Sequence, residues 1–233
     1  MNKNVKKLLD LQELDQTTRE QERKVDRLSE RIEKLKNEIE GIEKREAERA
    51  ERLEELKRES EKKNEKVDEL QSQIQEYQKR LDEGIISFKE TEALEEKIEH
   101  STARMEKLED EAIDIMMKID RTEEKRKKQK QESSQRVEKK EEKISELKQE
   151  KELTKEELDE LQEKRSGTMA EIPDRLIKQY ERLRKTTNQP VVQIKNGVCQ
   201  GCQMSVSKNT VKQARNSQGI ATCENCSRIL YIR

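Results

Sequence analysis

Apolar residues return every seven positions along the first part of this 233-residue chain. Val25, Ile32, Ile39, Leu53, Val67, Ile74 and Leu81 share one register, interrupted by Glu46 and Ser60. Leu28, Leu35, Ile42, Leu56, Leu70 and Tyr77 each follow three residues behind a member of that series, and Leu11 and Leu14 carry it upstream. A sustained 3–4 alternation of this kind is the a/d seam of a coiled coil. It commits residues from about 11 to 81 to a long helix that needs a helical partner.

The pattern breaks at LDEGIISFKETEALEE, where Gly84 falls on a d position and is a poor helix residue. A second seam follows through Leu94, Ile98, Met105, Leu108, Ala112, Ile115 and Ile119. It fades through RTEEKRKKQKQESSQR and resumes at Val137, Ile144, Leu147, Leu158 and Leu161, displaced by four residues. Such a displacement is a stutter, which relaxes the supercoil locally. The arms are nearly equal, each on the order of 110–120 Å long at the helical rise. Equal arms about a turn predict an antiparallel hairpin in which the numbers of facing residues add to about 171. The competing arrangement is one continuous helix that dimerises in parallel. In the hairpin register, Glu46 and Arg49 face the region near Thr122 and Arg126, so a loosened zone is expected midway. Met116 and Met117 are read as seam packing.

Composition agrees with a thin assembly. Charged residues make up 45% of the chain and aromatic residues 2%, with Phe88 the only Phe. Globular domains average roughly 25% charged residues, so a large core is excluded here. Gly and Pro number only 6 and 2, which favours helix over a disordered linker. The sequence shows neither a signal-peptide pattern nor an apolar run approaching the roughly 20 residues of a membrane span. A soluble, cytoplasmic protein is expected. The charge is unevenly spread: residues 167–233 hold 11 basic and 4 acidic residues, a balance of +7, against −8 for residues 1–166. A basic tail is either a solvated surface or a site for an acidic partner.

The expected organisation is a hairpin over 1–166 with its turn near 82–90, a linker with a short helix over 167–190, and a compact tail over 191–233. Gly167 reads as a helix C-terminal signal, and Pro173 stands near the start of the next helix. After Pro190, VVQI alternates like a strand and NG marks a turn.

All four cysteines lie in that tail, as Cys199-x2-Cys202 and Cys223-x2-Cys226 separated by twenty residues. Each pair can fold as a tight knuckle that aims two sulfurs inward. Two knuckles together offer four thiolates in a tetrahedron, which suits one Zn2+. Residues 191–233 have few apolar side chains, and so small a fold usually needs a metal, a disulfide or a partner. Two disulfides conflict with a reducing compartment, and a thioredoxin-like pair needs a βαβ unit. An iron–sulfur cluster is a further occupant of four cysteines. Four protein ligands leave no open position, so the zinc is expected to be structural.

YERLRK, VCQGCQM and TCENCSRILY, behind a long charged hairpin whose turn reads FKETEALEEKIE, resemble the bacterial C4-type zinc-ribbon family with an N-terminal coiled-coil hairpin. The resemblance implies a mainly α fold ending in a zinc ribbon and a non-enzymatic accessory role in flagellar assembly and type III secretion. It also implies secretion components, sigma-54 and transcripts as partners. One departure is Ser227, where the family's second knuckle usually carries glycine.

Two binding roles remain, and an enzyme is a weak third. His100 is the only histidine and lies on a charged helical stretch; no phosphate loop or pocket-forming sequence accompanies it. For an adaptor, the candidate contacts are Phe88, with Ile85 and Ile86 at the turn, and the ribbon cations Lys208, Lys212, Arg215 and Arg228. The alternative is RNA binding by the same basic tail, which includes Lys195 and Arg233. Four thiolates with one Zn2+ lower the tail's +7 to +5, and Tyr180 and Tyr231 are its only aromatic residues.

Overall fold

The computed structural model describes residues 2–84, 87–216 and 219–232. Two long helices, α1 (Lys3–Asp82) and α2 (Phe88–Ala170), form an antiparallel coiled-coil hairpin. A short helix α3 (Asp174–Arg184) leads to a small four-stranded ribbon. The ribbon comprises β1 (Val191–Lys195), β2 (Val198–Cys199), α4 (Lys208–Arg215), β3 (Ala221–Thr222) and β4 (Ile229–Tyr231). The chain divides into two compact units, Lys34–Lys143 and Met1–Glu33 with Ile144–Arg233. Among the described residues no helix is long and apolar enough to cross a membrane.

Within Lys34–Lys143 the heptad seam is the core. Every a and d position of α1 from Leu35 to Leu81 is buried or half-buried, Ser60 included. The facing seam of α2 does not vanish between the apolar stretches. Thr122, Arg126, Gln129 and Ser133 stay half-buried and carry it in polar form. Val137 follows Ser133 by four residues, as does Ser133 after Gln129, so the stutter sits there.

The register differs from the symmetric expectation of about 171. Lys63 pairs with Glu111, Lys57 with Glu123 and Lys140 with Glu38, so partner numbers add to 174, 180 and 178. Packing of knobs sets the register, not the midpoint of the turn. One consequence is that α2 begins beyond the reach of α1, because with these sums Asp82, the last residue of α1, faces residues 92–98. Phe88 is accordingly 86% exposed. The turn carries Gly84 at φ +71, a conformation that favours glycine. A capping box opens α2: the Ser87 backbone N–H and hydroxyl both donate to Glu90 Oε2, at 2.9 and 2.7 Å. Ile85 and Ile86 lie outside the described residues.

The midpoint is a polar layer. Glu46 accepts from the Ser133 hydroxyl at 2.9 Å and from Arg49. It thus faces Ser133, not Thr122. Glu46 Oε2 and Arg126 Nε are buried without a hydrogen-bond partner. A groove of about 480 Å³ lined by Ile42, Ala47, Ala50, Arg126 and Val137 opens beside them. Met116 and Met117 are not in the seam. They are 54% and 46% exposed, because Ala112 and Ile115 take the inward positions and rotate both methionines outward.

In the other unit α1 enters a globular core. Val5, Leu8 and Leu11 pack with Ile172, Tyr180, Leu183, Val191 and Ile229. The ribbon therefore shares a core with the start of α1, contrary to the coreless tail that its own few apolar residues suggest. The Gln12 side-chain amide even acts as a strand partner, donating to Val191 O and accepting from Val191 N at 3.1 and 2.8 Å. Beside it, Asp15 is buried and accepts from the Tyr180 hydroxyl and Arg165 Nε, both at 2.7 Å; it is ion-paired with Arg184, whose Nε lies 3.1 Å away without hydrogen-bond geometry. Arg165 also binds Glu181. Burial first, then the hydrogen bond to Asp15, drives the Tyr180 hydroxyl pKa far up, so it stays a donor.

Gly167 does not end the helix. The chain stays helical to Ala170, and the stop comes where Pro173 restricts Ile172 to extended backbone. Pro173 at φ −58 is the residue before α3.

Candidate metal centre

The ribbon sheet has strand order β2-β1-β4-β3, with β1 parallel to β4 and the outer pairs antiparallel. Asn196 and Gly197, at φ 53 and 73, make the tight turn between β1 and β2. One sheet face belongs to the core with α1. On the other face Val192, Ile194, Ala221 and Leu230 pack with the cysteines.

Cys199 ends β2 and opens the first knuckle. Its N–H donates to Met204 O, and its carbonyl accepts from Gln203 N–H. The second knuckle repeats this: Cys223 N–H donates to Arg228 O, and its carbonyl accepts from Ser227 N–H. Gln203 and Ser227, equivalent in the two loops, both take left-handed backbone at φ 62 and 61. Ser227 therefore holds the turn that glycine would ease, and the knuckle geometry survives the departure.

The Sγ atoms of Cys199 and Cys226 lie 3.9 Å apart, those of Cys202 and Cys223 3.7 Å, and all four within 4.8 Å of one another. A tetrahedron with Zn–S of ~2.3 Å has edges of about 3.8 Å. The four cysteines are free of disulfides. Their chemistry also asks for a cation. Burial pushes the Cys199 thiol up to about 12 and raises Cys223. For Cys226 burial is outweighed by the Arg228 N–H and neighbouring donors, which bring it down to about 7. Four thiolates in so small a volume are stable only around a metal. The centre holds one structural Zn2+ with no coordination position left for water or substrate.

Around it, Ser207 caps α4 by accepting from Thr210 N–H. Thr210 in turn donates to Glu224, the only acid of the ribbon, and holds its carboxyl below the usual range. Lys208, Lys212 and Arg215 are exposed on α4 and make no ion pair among the described residues. Arg228 differs. Its guanidinium donates to Gln189 O and the Thr187 hydroxyl, and its chain lies over Gly201, where a Cβ would meet Arg228 Cδ at 2.6 Å. It clamps linker and knuckles together and is not an open cation. Arg233 lies outside the described residues. The Asp15–Tyr180–Arg165 cluster escaped the sequence reading, although YERLRK contains Tyr180, Glu181 and Arg184; a polar residue one step beyond Leu14 was the only other sign.

The family of CT398-like coiled coil hairpin domains matches residues 11–188, and the C4-type zinc ribbon domain matches residues 198–230. The chain belongs to the CT398-like coiled-coil hairpin family. No curated protein matches it. CT398 from Chlamydia trachomatis is similar in structure, with a TM-score of 0.85 and 23% identity over 99% of this chain and 98% of that one. A structure from Mycobacterium smegmatis gives 0.74 and 18% over 100% of both chains. The HP0958 protein from Helicobacter pylori gives 0.55 and 24% over 100% and 98%. At these identities the likeness shows the fold.

Proposed function

We propose that the chain is a non-enzymatic, chaperone-like adaptor that binds protein partners in the cytoplasm. The observation that carries this is the placement of Phe88. The only Phe of the chain stands at the start of α2 with its side chain 86% exposed. An aromatic ring left exposed at a helix start is suited to a partner's pocket. The closed metal centre and the exposed, solitary His100 support the non-enzymatic part of the reading. The partners are assigned through the family resemblance: type III secretion or flagellar assembly components, and sigma-54.

The exposed, unpaired Lys208, Lys212 and Arg215 support a second reading, RNA binding at the ribbon. Its strong salt dependence separates it from protein contacts.

The test uses the full, zinc-loaded chain in pull-downs against candidate secretion components, sigma-54 and arbitrary RNA. Phe88→Ala is expected to lose one set of partners and a Lys208→Glu/Lys212→Glu/Arg215→Glu variant another, with both proteins folded. Wild-type binding of every partner by both variants would sink the assignment of these surfaces.

A further inference from the structure

Ile113, Met116 and Met117 occupy i, i+3 and i+4 on α2, so they form one patch. They are 55%, 54% and 46% exposed, on a flank of the helix turned out from the inward-facing Ala112 and Ile115. Isolated exposed apolar residues are ordinary, but three adjacent large ones on a helix this charged are not. Two of them are methionines, whose flexible thioethers adapt to varied apolar surfaces.

The rim of the patch is predominantly acidic. At 3.6 residues per turn, Glu106, Glu109 and Asp110 continue the same face on one side and Asp120 on the other. All four are exposed and none has an ion-pair partner among the described residues. The nearest cations along α2 are Lys107, Lys118 and Arg121. By the same periodicity Lys107 and Lys118 lie on the other flank of α2, and Arg121, four residues after Met117, is the one cation that adjoins the patch. The α1 lysine beside this stretch, Lys57, is already paired with Glu123 at 2.7 Å. An apolar patch whose rim carries four acids against the one cation Arg121 matches a helix with an apolar stripe and Lys or Arg beside it.

We propose that the outer face of α2 around Ile113, Met116 and Met117 is a docking surface for a basic amphipathic helix of a protein partner. This surface is separate from Phe88 and from the ribbon cations. Phe88→Ala leaves it intact, so the two proposals fail independently.

The test uses the full, zinc-loaded chain labelled at its methionine methyl groups. The probe is a synthetic helical peptide with a leucine stripe flanked by Lys and Arg; a second peptide has Glu at those flanks. The basic peptide is expected to shift the Met116 and Met117 methyl signals saturably while Met169 and Met204 stay fixed. The acidic peptide should bind at least tenfold more weakly. By fluorescence anisotropy, Ile113→Ser/Met116→Gln/Met117→Gln should weaken the basic peptide at least tenfold without changing the melting temperature, since none of these side chains is in the seam. Glu106→Lys/Glu109→Lys/Asp110→Lys should weaken it similarly and strengthen the acidic peptide. Equal binding of the two peptides, or binding indifferent to both variants, overturns the proposal. So does a shift of the Met116 and Met117 signals with protein concentration alone, which would give the patch to a second copy of this chain.

Discussion

The helix α1 buries carboxylates in two places, and the two are satisfied differently. Asp15, in the unit that contains the ribbon, meets a tyrosine hydroxyl and two guanidinium groups. Glu46, in the unit that is coiled coil alone, meets Arg49 and Ser133 with one oxygen and nothing with the other. The difference follows from how many elements surround each. Near Asp15 both α2 and α3 pack on α1, and each supplies donors, Arg165 from α2 and Tyr180 with Arg184 from α3. A two-stranded coil offers only one facing helix, so a seam carboxylate depends on whatever one or two residues lie opposite. A buried charge fully partnered fixes one arrangement of its elements; one half-partnered leaves a weak layer.

The largest expected effect tests the ribbon side of that contrast. Metal analysis is expected to give one zinc per chain, and Cys223→Ser should abolish it. Structural zinc in small folds carries apparent binding energies of about 10–16 kcal/mol. The face of the sheet formed by Val192 and Leu230 should lose hydrogen-exchange protection. Because Val191 and Ile229 share a core with Leu8, loosening should also reach the first turns of α1, while α2 between Leu94 and Ile144 keeps its protection. A ribbon that stays protected without metal would mean that the core with α1, not the zinc, holds it.

Next in size is the fully partnered carboxylate. Asp15→Ala leaves the buried Tyr180 hydroxyl without its acceptor and Arg165 and Arg184 with Glu181 alone, and should cost about 3–5 kcal/mol in denaturant titration. Tyr180→Phe, which removes one donor, should cost about 1–3 kcal/mol. Costs near zero for both would place the stability of this end in the apolar core alone.

The opposite sign is expected at Glu46. A Glu46→Leu/Arg49→Leu/Arg126→Leu variant replaces the polar layer with apolar knobs and should stabilise the chain by about 1–4 kcal/mol. In the wild-type chain, exchange near Glu46 and Ser133 should outpace that at Ile74 and Ile115. Uniform protection, or a destabilised variant, would show that the layer is a sound joint.

This contrast also marks what sequence could reveal. The seam was legible because a period of 3.5 needs no knowledge of the partner, and the positions it names in α1 are those that are buried. The zinc ligands were legible because two closely spaced pairs need only be brought together. The register was not, since the turn's midpoint constrains it less than knob packing does. Met116 and Met117 were misplaced because they lie one step from Ile115, and a neighbour in sequence points elsewhere on a helix. The core around Tyr180 joins residues more than 160 positions apart, and no local pattern encodes such a meeting. The helix α4 passed unread inside the spacer between the cysteine pairs.

The smallest effect sharpens the comparison inside the ribbon. Gln203 and Ser227 occupy the same place in the two knuckles, and both carry a side chain in left-handed backbone. That conformation costs a non-glycine residue roughly 1–2 kcal/mol. Glycine avoids the strain but surrenders more freedom on folding, which returns part of the gain. Ser227→Gly should therefore stabilise the zinc-loaded ribbon by only about 1 kcal/mol, leaving the zinc content at one. Its Cys223 N–H bond to Arg228 O should be unchanged, because the turn already has the shape that glycine would choose. Gln203→Gly should gain less, since the Gln203 side chain donates to Gln200 O at 3.0 Å and would be lost. A larger gain at Gln203 than at Ser227 would show that this side-chain bond contributes nothing. A loss at Ser227 would mean that its backbone is not strained at all.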